Sequence, residues 1–536
     1  MTTFDLAATE RQRLVLQDRL DGERSASQRN KLGQFATPPA LAREIVEYAA
    51  SLLPNPAEPI RYAEPAIGSG AFYSALRTTF PPERIASAVG IEVDSRFVSA
   101  ARSLWGESGL CVIAGDFADL IGSEAMPARP NLIVTNPPYV RHHHLSRDRK
   151  EHLQSLVLRI AGRKVNGLAG LYVYFLLLAT EWLDDNGLAA WLIPSEFMDV
   201  NYGSVLRRYL TERVTLLSVH RFDPDEVQFD DALVSSAVVV LQKAAPALNA
   251  TVCFSFGGTL SAPRVAEDVP LSKLNHAHKW TAYPSLTPRE TEARPAAPGL
   301  LLRDLFRIQR GIATGGNGFF IVPRERARDL GLPERYLKPV LPGARRLRGT
   351  VIESDGDGYP ALDPQLALID CDLGEEAVRA EYPALWSYLE TAAARGVREG
   401  YLVRKRTPWY RQEQREPAPF LCTYMGRGTG DRRPFRFIWN KSQAVATNLY
   451  LMLYPDGPLR RLLKREPDAT ATVFEVLQRI TGDDLRSEGR VYGGGLHKIE
   501  PSELGRISAQ PMVDALPGLK ATVHQQLALD LAPAGL

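Results

Sequence analysis

The stretch Leu132-Ile133-Val134-Thr135-Asn136-Pro137-Pro138-Tyr139 decides how this chain is read. Its apolar run has the length and character of a short buried strand, and it stops on a polar residue followed by two prolines. Side chains and carbonyls just past such a stop point out of the sheet edge, which is where open α/β sheets bind ligands. The Asn136 side-chain oxygen and the Pro137 carbonyl, set side by side, offer two acceptors to one planar NH2 group. Tyr139 adds an aromatic face on which a base can lie. Asn-Pro also opens ordinary turns, so the stretch takes its meaning from what precedes it.

Upstream lies Glu64-Pro65-Ala66-Ile67-Gly68-Ser69-Gly70-Ala71-Phe72, an acid at a strand end and then a G-x-G turn that lets backbone approach a ligand. About two dozen residues further on, Val89-Gly90-Ile91-Glu92-Val93-Asp94 ends in carboxylates, at roughly the spacing where a second-strand acid grips ribose hydroxyls. A third strand, Cys111-Val112-Ile113-Ala114-Gly115, delivers Asp116 and Phe117, a carboxylate for an amino group and a ring for a purine face. From about residue 31 to 243, apolar strands alternate with helical stretches, the βαβ pattern of a parallel sheet. A lone G-x-G says little; successive strand-end acids followed by Asn-Pro-Pro-Tyr say much more.

With these motifs on the page, the chain resembles the S-adenosylmethionine-dependent DNA adenine-N6 methyltransferases of restriction–modification systems. It is most similar to the group in which the cofactor motifs come first, Asn-Pro-Pro-Tyr next and target recognition last. Gly33-Gln34-Phe35-Ala36-Thr37-Pro38-Pro39, just ahead of the first strand, is typical of that group. The one small departure is Ile67, where many relatives carry Cys. The resemblance implies an α/β fold, a Rossmann-like class I methyltransferase domain followed by a mixed α+β target-recognition domain. It implies S-adenosylmethionine bound by Thr37, Glu64, Ala66, Gly68, Glu92, Val93, Asp116, Phe117 and Pro137. It implies catalysis by Asn136, Pro137 and Tyr139 on an adenine flipped out of double-stranded DNA, with Phe229 as the second slab opposite Tyr139. The expected organisation is a helical lead-in over 1–30, the catalytic domain over 31–245, a connecting segment over 246–299 and target recognition over 300–536. RNA guanine-N2 and protein glutamine methyltransferases share the tetrapeptide and form the alternative reading. A fused nuclease is not expected, since only some thirty residues precede Gly33 and few follow Pro501. A companion restriction endonuclease would act separately.

The 536 residues are 45% apolar, enough for a sizeable core, and the net charge of +2 does not announce a nucleic-acid binder. DNA binding would rest on local patches, and three aromatic-laced basic clusters lie in the second half. They are Arg345, Arg346 and Arg348; Arg404, Lys405, Arg406 and Arg411 with Tyr401, Trp409 and Tyr410; and Arg427, Arg432, Arg433 and Arg436 with Phe435, Phe437 and Trp439. Such side chains neutralise phosphates, and Arg reads guanine edges. Arg141 heads another basic loop, 141–150, nearer the catalytic motif. The adjacent His142-His143-His144 cannot easily converge on one ion, so no metal is expected. The four cysteines show no C-x-x-C spacing. Without a signal peptide or an apolar run of membrane-spanning length, a cytoplasmic protein is expected.

Overall fold

The computed structural model describes residues 4–520 except 122, 124–125, 224–234, 278, 286–299, 428–433, 483, 486–489 and 493–495. The chain divides into two units, one spanning Met1–Glu292 and the other Ala293–Val491 with Gly495–Leu536.

The first unit is built on a nine-stranded sheet of order β3-β2-β1-β4-β5-β7-β6-β8-β9. Its strands are β1 (Ile60–Glu64), β2 (Ile85–Glu92), β3 (Leu110–Ala114), β4 (Leu132–Thr135), β5 (Leu188–Pro194), β6 (Thr215–Arg221), β7 (Ser236–Gln242), β8 (Thr251–Gly258) and β9 (Pro263–Pro270). Strands β1 to β5 run parallel. Strand β7 lies antiparallel between β5 and β6. The parallel core flanked by a reversed β7 is the class I methyltransferase sheet that the motifs imply.

Period-2 alternation sorts the strands onto two cores. Ile133, Ala189, Trp191 and Ile193 face one core, while Leu132, Val134, Leu188, Ala190 and Leu192 face the other. A strand covered on both faces reads as a continuous apolar run, and all seven residues of β5 are buried. Each of its larger side chains contributes about 1.5–3 kcal/mol by leaving water. Helices α3 (Pro39–Ser51), α4 (Ala71–Thr79) and α5 (Ser95–Trp105) cover one face. Helices α6 (Phe117–Leu120), α7 (Arg147–Ala161), α8 (Leu171–Trp182) and α9 (Ser204–Glu212) cover the other. Helix α8 is apolar nearly all round because it is the buried centre of its layer.

Two segments do more than the sequence suggests. The stretch 246–299 is expected as a connector, yet β8 and β9 extend the sheet and α10 (Leu271–His276) packs on it. Val252, Phe254 and Val269 are fully buried there, an alternation overlooked among Gly, Ser and Pro residues. The lead-in forms α1 (Leu6–Gly22) and α2 (Ala26–Leu32), and α1 buries Arg13 and Leu20 against this unit.

The second unit is mixed α+β. A five-stranded sheet combines Phe306–Arg310, Tyr450–Pro455, Phe420–Thr423, Phe437–Asn440 and Val351–Ile352, and two smaller three-stranded sheets accompany it. Three separate apolar clusters form its cores.

Helix α2 ends at Gly33 with φ +66, the left-handed region, and the chain then crosses Asn-Pro-Pro-Tyr. The Gly33 carbonyl accepts the Tyr139 N–H at 3.1 Å. A Cβ on Gly33 would sit 2.7 Å from the Tyr139 carbonyl carbon, far inside contact distance. Gly33→Ala should therefore lose about 1–2 kcal/mol from backbone conformation alone, with the collision adding to it. Urea unfolding followed by tryptophan fluorescence checks this through a lowered midpoint.

Candidate functional site

The sheet order reverses between β1 and β4, and a cavity of about 290 Å³ opens at the carboxyl ends of β1 to β4. A crevice at such a switch point is where open α/β sheets bind ligands. Thr37, Glu64, Ala66, Gly68, Glu92, Val93, Asp116 and Phe117 all line it, and so do Asn136 and Pro138. The structure thus brings these sequence-derived candidates together around one cavity. Pro137 and Tyr139 are not among the lining residues. Tyr139 is 6% exposed, its hydroxyl donates to the Leu192 carbonyl at 3.0 Å, and its ring tilts against Phe35 at 5.6 Å.

Asn136 is fixed by the strap that crosses it. Its Nδ2 donates to the Phe35 carbonyl at 3.1 Å and to Thr37 Oγ1 at 3.2 Å. A carbonyl can only accept, so the amino group must face Phe35 and Oδ1 must face the other way. That oxygen is buried and has no hydrogen-bond partner. An orphaned buried acceptor is costly unless a ligand satisfies it. Asn136 is therefore preset to receive an N–H.

The strand-end acids differ in their surroundings. Glu64 is 2% exposed, and burial pushes its carboxyl well above the usual carboxylate range. The Tyr62 hydroxyl, donating at 2.8 Å, works against that rise; the Glu92 charge adds to it, and the Arg13 charge opposes it. Glu92 is also raised by burial, against N–H bonds from Asp94 at 2.8 Å and Gly68 at 2.9 Å. Gly68 has φ +53, which places its N–H toward Glu92 and leaves open space where a side chain would stand. Each Glu92 oxygen accepts one backbone bond and keeps capacity for another donor. Asp94 behaves oppositely: burial raises it, but Arg96, Gln34 and Arg24 together hold it well below its usual value.

Asp116 accepts the Ala118 N–H at 2.9 Å and is ion-paired with Arg149, which also reaches Asp119 at 2.6 Å. Arg149, within the segment 141–150 expected as a basic loop, instead sits on α7 and is engaged beside the cavity. A purine amino group reaching Asp116 would share that carboxylate. Phe117 packs on Phe175 at 5.3 Å and Trp182 at 6.0 Å. The sequence reading also missed Gln17, Asp21, Gln34 and Phe35, which line the cavity as well. Only Gln34 and Phe35 carried a signal, as members of the Gly33–Pro39 motif.

Among the candidate nucleic-acid residues, Arg141, Arg345, Arg346, Arg404 and Lys405 are exposed. Lys405 lies over the Tyr401 ring at 4.2 Å. Arg406 is a correction to that set. Its guanidinium donates to the Ala313 and Thr314 carbonyls and to Gln412, so it pins the turn at Gly311–Gly318 rather than presenting charge to a ligand. Arg436 similarly holds the Ala344 and Leu347 carbonyls around the turn that carries Arg345 and Arg346. Phe229, Arg432 and Arg433 lie outside the described residues. Among the described residues, no group of three or more His, Cys, Asp or Glu side chains could hold a metal ion, and no helix is long and apolar enough to cross a membrane.

Comparison with known proteins shows what the chain is similar to. Residues 131–229 match the family model of the Eco57I restriction-modification methylase. Residues 277–529 match the C-terminal domain of the Type II methyltransferase M.Eco57I. The chain is 29% identical over 490 residues to the Type II methyltransferase M.XamI of Xanthomonas campestris pv. amaranthicola, covering 89% of this chain and 85% of that protein. It is 25% identical over 509 residues to M.AccI of Acinetobacter calcoaceticus, covering 90% and 86%. A cryo-EM structure of a DrdV–DNA complex shares the fold, with TM-score 0.51 and 13% identity over 91% of this chain and 56% of that one. Over most of its length the chain is thus similar to Type II methyltransferases of restriction–modification systems.

The raised Glu64 carboxyl has a measurable consequence. Between its ordinary value of 4.5 and its raised folded value, the folded state holds the proton more tightly than the unfolded chain. Stability of the free protein should therefore fall as pH rises through that window and level off above it. A cationic ligand against Glu64 favours the ionised form, so its binding releases a proton and tightens with pH over the same window. Calorimetry of S-adenosylmethionine binding in two buffers of different ionisation enthalpy counts that proton. Glu64→Gln should abolish the release and flatten the pH profile.

Proposed function

We propose that this methyltransferase modifies N6 of an adenine swung out of double-stranded DNA, protecting the DNA against a companion restriction endonuclease. The observation that carries the reading is the Asn136 amide, with both donors committed to the strap and its oxygen left buried and unpartnered in the cavity.

The cavity suits S-adenosylmethionine. Glu64 offers a buried acid to its cationic end, Glu92 has spare acceptor capacity for ribose hydroxyls, and Asp116 with Phe117 suits the adenine. Thr37, Ala66, Gly68 and Val93 contribute wall and backbone. When bound, the cofactor supplies a methyl group activated by its sulfonium charge. The protein's task is to prepare the acceptor. An exocyclic amine is a poor nucleophile because its lone pair is delocalised into the ring. Asn136 Oδ1 and the Pro137 carbonyl would each accept one of its N–H bonds, localising the lone pair and aiming the remaining lobe at the methyl. The N–C bond forms as the S–C bond breaks, and the surplus proton passes to solvent. Alignment of this kind is worth up to about 7–11 kcal/mol. Flipping costs a few kcal/mol, and stacking on Tyr139 and Phe229 would return about 1–3 kcal/mol per ring. Since Tyr139 is nearly covered, a base stacking on it must displace whatever lies against it.

The acceptor pair suits any planar NH2, so substrate choice is tested directly. Duplex DNA, RNA and protein are each incubated with labelled cofactor, and the nucleosides are separated by mass. N6-methyladenine from DNA is the expected product; label confined to RNA guanine or to a protein amide would overturn the reading. Asn136→Ala should lower kcat roughly 10²–10³-fold, by analogy with loss of one preorganised transition-state partner, while cofactor affinity measured by calorimetry stays within a few fold.

Exposed cations would neutralise phosphates, and each lost contact should reduce the salt slope of DNA binding by about one. Arg345→Ala and Arg404→Ala are expected to do so in filter-binding titrations. Arg406→Ala should instead lower unfolding stability by about 1.5–3 kcal/mol, as expected for hydrogen bonds from a charged group.

A further inference from the structure

Helix α1 docks along a narrow stripe on which Leu6 and Leu16 pack half-buried against the core and a charged side chain, Arg13, is fully buried. Arg13 and Leu20 are its buried residues, at 2% and 5% exposure. Leu20 packs with Phe97 and Ala100 of α5. Arg13 is held at three points. Its Nε and Nη2 fork onto Glu10 at 2.8 and 2.7 Å, and Nη1 donates to Ser69 Oγ at 3.1 Å. Ser69 sits between Gly68 and Gly70 in the turn that follows β1, 3% exposed, and its carbonyl accepts the Trp105 indole N–H at 2.8 Å. One and two turns beyond Arg13, Gln17 and Asp21 line the cavity, joined by a 2.9 Å hydrogen bond. A guanidinium buried this deeply is costly unless paired and hydrogen-bonded. Here the bonds lead straight to the cavity's glycine turn.

The same cation acts on Glu64. The groups that bear on that acid are the Tyr62 hydroxyl from β1, Glu92 from β2 and Arg13 from α1. Beyond them, Tyr73 of α4 neighbours Tyr62, Glu10 of α1 pairs with Arg13, and Arg43 of α3 bears on Glu10. Arg13 opposes the rise caused by burial and by Glu92.

We propose that α1 is the outer wall of the methyl-donor site and that Arg13 is its positioning residue, fixing the Gly68–Gly70 turn through Ser69 and keeping positive charge beside Glu64, so that this helix sets donor affinity. The proposal rests on the methyltransferase reading above. It assigns to a segment ahead of the Gly33–Pro39 motif a role in the cofactor site that no motif announces.

The test uses the full-length chain, S-adenosylmethionine as the calorimetric probe from pH 6 to 9, and steady-state methylation of duplex DNA. Arg13→Met should weaken donor binding by about 10-fold, the loss expected for one hydrogen bond from a charged group. The pH at which affinity levels off should move upward, and the loss should fall on KM for the donor, with kcat within about threefold. Arg13→Lys keeps the charge and loses the fork, so it should restore the pH profile and most of the affinity. If the Met variant does not fold, Ser69→Ala removes the acceptor alone and should still weaken donor binding. Wild-type affinity in Arg13→Met or in Ser69→Ala, a Lys variant with the pH profile of the Met variant, or a loss confined to kcat would each overturn the assignment. Failure of the wild-type chain to bind the donor would instead sink the methyltransferase reading, so the two failures are distinguishable.

Discussion

One crossing of backbone governs the site. The strap after α2 runs over the end of β4, and the two are tied by Gly33 to Tyr139 through backbone and by Phe35 and Thr37 to the Asn136 amide. These bonds decide which end of the amide faces the cavity. Were the strap absent, the Asn136 side chain could rotate and present donor or acceptor alike. With it, only the oxygen is offered. Chemistry that needs an acceptor is thus secured by residues about a hundred positions away in sequence. The same strap reaches the second strand end, where Gln34 and Arg24 both bond Asp94.

Around that crossing, a pattern of charge emerges. The acids at the strand ends are each answered from outside the sheet. Asp94 is met by Arg24 and Arg96, Asp116 by Arg149, and Glu64 by Arg13 at longer reach. Glu92 is answered by backbone N–H groups instead. Four carboxylates crowded at one sheet edge would repel one another and resist ionisation. Peripheral arginines hold the ensemble together while leaving Glu64 and Glu92 raised, which suits a site whose ligand brings positive charge.

Much of this was legible in the sequence because it is local. A strand of period-2 burial, a stop at Asn-Pro-Pro, a glycine turn and acids at regular spacing each announce themselves within ten residues. The sheet follows from them, and eight of the cavity-lining positions follow from the family resemblance they carry. What escaped is non-local. Arg13 and Ser69 are 56 positions apart, Arg149 and Asp116 are 33 apart, and Arg406 and Ala313 are 93 apart. No periodicity encodes such pairings, and an arginine that will be buried reads like one that will meet solvent. The β8–β9 hairpin escaped for another reason. Its alternation is diluted by Gly, Ser and Pro, and its outer strand carries Arg264, Glu267 and Asp268, so it looks like a linker. Charges on an edge strand are what keep it from pairing with another chain.

The position of β7 has a consequence for synthesis of the protein. Strand β7 lies between β5 and β6 but follows both in the chain. As the polypeptide emerges from the ribosome, β5 is complete by Pro194, yet its second neighbour does not arrive until Ser236–Gln242. During that interval β5, buried along its whole length in the finished fold, presents an open apolar edge. Strand β6 emerges in the meantime and must stand off rather than take the vacant place. At about 5–20 residues per second, the exposure lasts seconds. Nascent chains stalled within this window would carry an unprotected strand, the species that chaperones capture and that aggregates nucleate from.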